Sequence, residues 1–315
     1  PILDEEKIAE LTENICNAAS ETKNEEILSD CFDSVGSILS KTADNSKVIE
    51  MSSGFAFSFM QGKFVICNQN EPLDCDFKLS TIKSFARLLC ELLHYELELN
   101  ELTFLFTQSL LSSSNIEYVD LALSILSDGV LYEGFNSNKE KAFIVSYTQS
   151  ICDVENTSII LVESIANLLL CLIEKDFVSA EVCEKIFPVV IQWWQNIYSN
   201  MKEVMLPTLS NLSILIWSIA LKYDAFEQSF ELFPPKDESD TFKACNLLAI
   251  IATNEQLRAN FTIPITLAIS KLLVLPKMLI AKKDVTDEIL MKLGAIFNEL
   301  YNSSSDIQNA IAQQI

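Results

Sequence analysis

Apolar residues recur at three- and four-residue spacing along almost the whole chain, the pattern of helices with one buried face. Gly occurs six times and Pro eight times in 315 residues, too few to turn the many short strands of an all-β fold. The spacing predicts helices over 4–20, 24–41, 46–60, 78–97, 99–112, 115–133, 138–152, 155–174, 178–200, 204–223, 238–253, 255–275, 284–301 and 304–314. Short polar connections join most of them. One longer connection, 61–76, carries a strand-like piece, KFVIC.

Helices of similar length on short turns point to repeats. A polar pair followed by an apolar helix recurs as YVDLALSILSDGVL (118–131), LVESIANLLLCLI (161–173) and TLSNLSILIWSIAL (208–221), with a fainter copy, DCFDSVGSILSK (30–41). The steps from Asp120 to Glu163 and from Glu163 to Ser210 are 43 and 47 residues, the length of a two-helix HEAT or armadillo unit. One such unit cannot bury its apolar face alone, so neighbours must stack. The expectation is an all-α chain: an α-solenoid, or superhelical array, of about seven HEAT/armadillo-like two-helix repeats, continuous over 1–315.

The sharpest stop in the pattern is FELFPPKDESDTFKACNLLA (230–249). Leu232 and Phe233 are expected to anchor a short amphipathic turn. Pro234 and Pro235 end it, since neither can donate a backbone hydrogen bond. Asp237 or Ser239 then caps the next helix, with Glu238 and Asp240 at its positive end. The segment is expected to be a rigid corner between repeats rather than a domain linker.

Acids outnumber bases 44 to 22, for a net charge of −22. That balance opposes direct binding of nucleic acid and of anionic membrane surfaces. It leaves two readings open, simple solubility and a basic protein partner. The nine cysteines are odd in number, form no C-x-x-C and sit mostly in apolar helical runs such as LLLCLIE. They read as small core residues of a reducing compartment, not as disulfides or a zinc site.

His94 is the single histidine, expected as a partly buried helix residue. One histidine leaves no catalytic dyad and no His-rich metal site. Gly-rich phosphate loops do not occur. The carboxylate pairs Glu5/Glu6, Glu25/Glu26 and Asp287/Glu288 fall in first turns, where they complement the helix dipole. The expectation is therefore no enzyme, no catalytic residue, no cofactor and no metal. The longest uncharged run, Val204–Leu221, is about one membrane span long. It holds Pro207, Asn211 and several Ser/Thr, so it is read as a buried helix.

Binding residues are sought on the helix surfaces. Glu163, Asn167 and Glu174 fall at i, i+4 and i+11 and share one stripe of their helix. Asp120 and Ser124 take the matching places one unit earlier, Ser210 and Asn211 one unit later. If these are second helices of their units, the stripe lines the concave face. A ladder of acids and amides suits an extended basic peptide; the plain alternative is an ordinary solvated face. Trp193 and Trp194 are adjacent and cannot point the same way. Trp194 is taken as the exposed one, placed to cover the stem of a partner lysine, while Trp217 is expected to be buried. The candidate binding residues are thus Asp120, Glu163, Asn167, Glu174, Asn211 and Trp194. Pro188 and Pro207 are expected near the start of helices or as kinks within them.

The stretch NLSILIWSIALKYDAFEQSFELFPPKDESDTFKACNLLAIIATN (211–254) resembles the C-terminal repeats of importin-β-type (karyopherin-β) nuclear transport receptors. A helix of the form N-x-x-x-x-I-x-x-I-A-x-K-Y precedes a short amphipathic segment ending in L-F-P-P-K-D-E. A helix T-F-x-A-C-N-L-L follows. The chain closes with a helix, a polar break and IQNAIAQQI, so the resemblance covers 211–315. Pro235 departs from it, standing where the family carries an aliphatic residue.

The resemblance implies a carrier. Such receptors bind basic nuclear-localisation signals, as in histones or ribosomal proteins, on an acidic inner surface. They contact phenylalanine-glycine nucleoporins, release cargo to the GTP form of the Ran GTPase, and shuttle between cytoplasm and nucleus. Ran binds mainly their N-terminal repeats. A chain that opens on Pro1 and enters a helix at once is then expected to be the C-terminal portion of a longer receptor. The alternative is a helical scaffold or adaptor of another complex, which explains the helices and the charge but not LFPPKDE.

Overall fold

One pair of helices with apolar faces of this kind cannot hide them from water alone, so neighbouring pairs stack. The structure, a computed structural model, describes residues 4–42, 45–63, 76–95, 99–152, 157–199, 206–222 and 305–312, with a few single positions between them. The chain divides into two compact units, Pro1–Phe177 and Val178–Ile315, at a point that no linker-like composition marks.

The first unit contains α1 (Glu5–Glu21), α2 (Glu25–Leu39), α3 (Ser46–Lys63), α4 (Leu79–Leu92), α5 (Leu99–Leu111), α6 (Ile116–Leu131), α7 (Asn138–Cys152) and α8 (Ile159–Glu174). The regular structure among the described residues is all helical. Most ends agree with the apolar spacing to within two residues. The helix expected over 78–97 instead stops at Leu92, and Leu93–Tyr95 turn. The one expected from 155 begins at Ile159, and α3 runs on to Lys63, the first residue of KFVIC. The rest of that piece lies outside the described residues.

The ends are set by local chemistry. Asn24 and Asn115 each turn a side-chain oxygen onto a first-turn N–H, those of Glu26 and Glu117, both at 3.0 Å. In both, a hydroxyl two residues earlier, Thr22 or Ser113, accepts from the asparagine N–H. The C-terminal ends of α6 and α8 also match. Glu133 and Asp176, 43 residues apart, are the two non-Gly residues with positive φ among the described residues, at 61° and 59°. After α8 this lets the Asp176 and Phe177 N–H groups fold back onto the carbonyls of Ile173 and Leu172, closing a Schellman turn. After α6 the Glu133 and Phe135 N–H groups reach Val130 and Gly129. A side chain at Gly129 would sit 2.1 Å from the Phe135 ring, so that closure requires glycine.

Packing follows two rules. Successive helices pair, α1 on α2, α3 on α4, α5 on α6 and α7 on α8. The even-numbered helices also pack one on the next, α2 on α4, α4 on α6 and α6 on α8, while α1 packs on α3 and α3 on α5. Polar contacts show that the even helices run the same way. Glu25, Ser29 and Asp33 of α2 meet Lys78, Ser84 and Arg87 in the same order. Asp120 and Glu133 meet Ser164 and Lys175 likewise. Two-helix steps with like helices side by side are consistent with a helical repeat array. The four phrases that repeat in the sequence fall on α2, α6, α8 and, in the second unit, the helix Leu206–Lys222.

Aromatic rings fill the space between the helix rows. Phe32, Phe55, Phe59, Phe77, Phe85 and Phe106, from α2 to α5, are joined by centroid separations of 4.9 to 5.8 Å. Phe104 packs edge-on to Phe135 and Phe143, which links α5 to α7. Such pairs add about 0.5–1.5 kcal/mol each beyond the area they bury.

In the second unit α9 (Ala180–Ser199) packs on α10 (Leu206–Lys222). Trp193 and Trp194 are 7% and 1% exposed, which corrects the expectation that Trp194 faces solvent. An indole on either flank of α9 can reach the interior, because the buried arc of this helix is wide. Pro188 lies inside α9, and Pro207 is in the first turn of α10, where its missing N–H leaves no bond unmade. A further helix spans Ser305–Ala312. The corner residues Leu232, Phe233, Pro234, Pro235 and Asp237, the pair Asp287/Glu288 and the helices expected over 238–275 lie outside the described residues.

A left-handed backbone disfavours any residue with a Cβ. Asp176→Gly should therefore raise stability by about 0.5–1 kcal/mol after the entropy of glycine is counted, read as a higher urea midpoint at unchanged slope. Asp176→Ala should not.

Candidate protein-binding face

Side-by-side packing of α2, α4, α6 and α8 gives each of them one stripe turned away from the core. On α2 it includes Asp30 and Asp33, and on α4 Lys83 and Arg87, with His94 just past its end. On α6 it includes Glu117, Asp120, Ser124 and Tyr132, and on α8 Glu163, Asn167 and Glu174. These positions recur at three or four residues because that spacing keeps a helical residue on one face.

The stripes are stitched together. Arg87 Nη1 lies 3.5 Å from Asp33 Oδ1, Lys83 Nζ 2.8 Å from Glu117 Oε2 and Lys175 Nζ 3.2 Å from Glu133 Oε1. The Ser164 hydroxyl donates to Asp120, and Ser84 to Asp33. The Glu25 carboxylate accepts from the Lys78 N–H and the Thr81 hydroxyl. It thereby caps α4 from the neighbouring helix, where Lys78 itself supplies no side-chain cap. Open ion pairs of this kind contribute about 0.2–1 kcal/mol each. Their role is to set register more than to add stability.

Of the six expected binding residues, Asp120, Glu163, Asn167 and Glu174 are brought onto α6 and α8. Asp120 and Glu163 are half-buried, whereas Asn167 and Glu174 are exposed. Asp120 is bonded to Ser164, the sequence neighbour of Glu163, across the seam between α6 and α8. Asn211 is half-buried on α10 of the second unit, and Trp194 is core. The sequence reading passed over Lys83, Arg87 and Ser164. Their signal was present: Lys83 and Arg87 sit four apart on a stripe that is otherwise polar.

His94 is exposed, just past the end of α4, and stacks on Tyr132 at 3.6 Å between centroids. It was expected to be partly buried; the early stop of α4 at Leu92 turns it outward. Cys90, Asp128 and Cys171, on α4, α6 and α8, lie near Tyr132. Burial, with Asp128 beside it, holds the Cys90 thiol well above its ordinary range. Burial, with help from Glu174 and Asp128, pushes Cys171 up to about 11, and burial with Cys31 nearby does the same to Cys16. A thiol that holds its proton is a poor nucleophile and a poor metal ligand. Among the described residues no group of three His, Cys, Asp or Glu side chains is placed to hold a metal ion. None of the helices there is long and apolar enough to cross a membrane.

A cleft of about 380 Å³ opens where α1, α2 and α3 meet the start of α4. Phe55, Phe59 and Phe77 line it together with Lys23, Glu25 and Asp76. No known protein family, curated protein or solved structure matches the chain.

The raised thiols fix an alkaline limit. Cys16 and Cys171 favour the fold while protonated, so their contribution is complete below pH 9 and is lost as the pH climbs toward 11. Unfolding free energy should therefore fall between pH 9 and 11, and a Cys16→Ala/Cys171→Ala variant should show a flatter limb in denaturant titrations.

Proposed function

We propose that this chain is a non-catalytic helical-repeat binding protein, of HEAT/armadillo-like solenoid architecture, that holds a basic segment of a partner protein on its even-numbered helices. The observation that carries this reading is the seam at Asp120 and Ser164. There the Ser164 hydroxyl of α8 donates to Asp120 of α6 and ties two parallel helices together, at the positions that the recurring phrase of the sequence singles out. A net charge of −22 supplies the long-range attraction for a basic partner. Parallel helices packed side by side present polar stripes at a regular interval, which an extended chain lying across them can follow.

The specific form we propose is the C-terminal portion of an importin-β-type nuclear transport receptor. Its cargo would be basic nuclear-signal proteins such as histones or ribosomal proteins, and it would pass between cytoplasm and nucleus with Ran and nucleoporins as partners. This form rests on the resemblance over 211–315. Retention of the GTP form of Ran or of phenylalanine-glycine nucleoporins by the longer protein separates it from a scaffold or adaptor of another complex.

Binding of a labelled lysine-rich peptide to the full chain tests the common core of both. Asp120→Asn/Glu163→Gln should weaken binding about tenfold, the loss of two charge pairs of about 0.7 kcal/mol each. Added salt should weaken it progressively. Affinity indifferent to both would contradict the proposal.

A further inference from the structure

The face is not uniformly acidic. α2 turns Asp30 and Asp33 outward, α6 carries Glu117 and Asp120, and α8 carries Glu163 and Glu174, whereas α4 places two cations, Lys83 and Arg87, on its outward stripe. The two are one helical turn apart and so share that stripe. Their side chains are 42% and 70% exposed. The interhelix contacts fix their place in the row. Ser29, beside Asp30, meets Ser84, beside Lys83. Lys83 reaches Glu117, one turn before Asp120. Asp120 is bonded to Ser164, beside Glu163. A line drawn across the four helices at this level reads acid, base, acid, acid.

We infer that the partner segment lying across this face carries the complementary order: basic over α2, acidic over α4, and basic again over α6 and α8. This deepens the basic-segment reading above and rests on it. A purely basic segment would set like charge against like over α4, and such juxtapositions are what exclude wrong partners at interfaces. An acidic residue there gains a contact without breaking one. Arg87 engages Asp33 through one nitrogen and Lys83 engages Glu117 through its ammonium. A guanidinium has five N–H donors and an ammonium three, so both keep donors for an incoming carboxylate. Packed helices lie about 8–10 Å apart and an extended chain advances about 3.3 Å per residue. One helix is therefore crossed in about three residues, and the fitting pattern is K-x-x-E-x-x-K-x-x-K.

Fluorescence anisotropy on the full chain tests this with two labelled peptides. One is GKGGEGGKGGKG, and the other has its glutamate replaced by lysine. The glutamate peptide should bind about fivefold more tightly despite its smaller positive charge, the effect of one exposed charge pair gained rather than opposed. Lys83→Glu/Arg87→Glu should reverse the order, and the milder Lys83→Gln/Arg87→Gln should abolish the preference. Tighter binding of the all-lysine peptide to the unaltered chain would overturn the inference and leave the basic-segment reading standing. So would an order that survives both variants. Failure of both peptides to bind would overturn the two together.

Discussion

Four helices, α2, α4, α6 and α8, run the same way and lie side by side, and the inner two, α4 and α6, each give one flank to the helix before and another to the helix after. Once both flanks and the inner face are committed, a single narrow stripe is left for solvent. Much of the first unit can be understood from that constraint. It explains why α4 buries Ile82, Phe85, Leu88, Leu89 and Leu92 and leaves Lys83 and Arg87 outward. It also explains why small polar groups, Ser29 against Ser84 and Ser164 against Asp120, occupy the seams, where larger side chains would hold the helices apart. The odd-numbered helices and their phenylalanines then fill the other side.

The helices themselves were legible because one physical signal, apolar residues at three and four, decides both where a helix lies and which face it buries. The two-helix step was legible for the same reason, and the structure supplies an independent mark of it. Glu133 and Asp176, in left-handed backbone at the ends of α6 and α8, stand the same 43 residues apart as Asp120 and Glu163. No composition rule points to an acidic residue with positive φ, so that mark could be found only in the fold.

The site was legible in part. Asp120, Glu163, Asn167 and Glu174 are polar residues inside strongly apolar helices, and such residues have few places to go but outward or into a seam. The cations of α4 were missed because a search for acids alone ignores what neutralises them, and pairing across helices is not encoded at any fixed sequence interval. Trp194 was misplaced for a related reason. Two adjacent indoles cannot share a direction, but α9 packs over an arc wide enough to bury both. His94, expected as a partly buried helix residue, is exposed because α4 ends five residues before its apolar pattern does.

The central claim is that partner binding belongs to the outward stripes of the even-numbered helices. Amide hydrogen exchange of the full chain, with and without saturating GKGGEGGKGGKG, addresses it directly. The account predicts added protection on α4, α6 and α8, centred on segments containing Arg87, Asp120 and Glu163, with α1, α3 and α5 unchanged. Protection confined to the odd-numbered helices, or bound peptide with no change on α6 and α8, would contradict it.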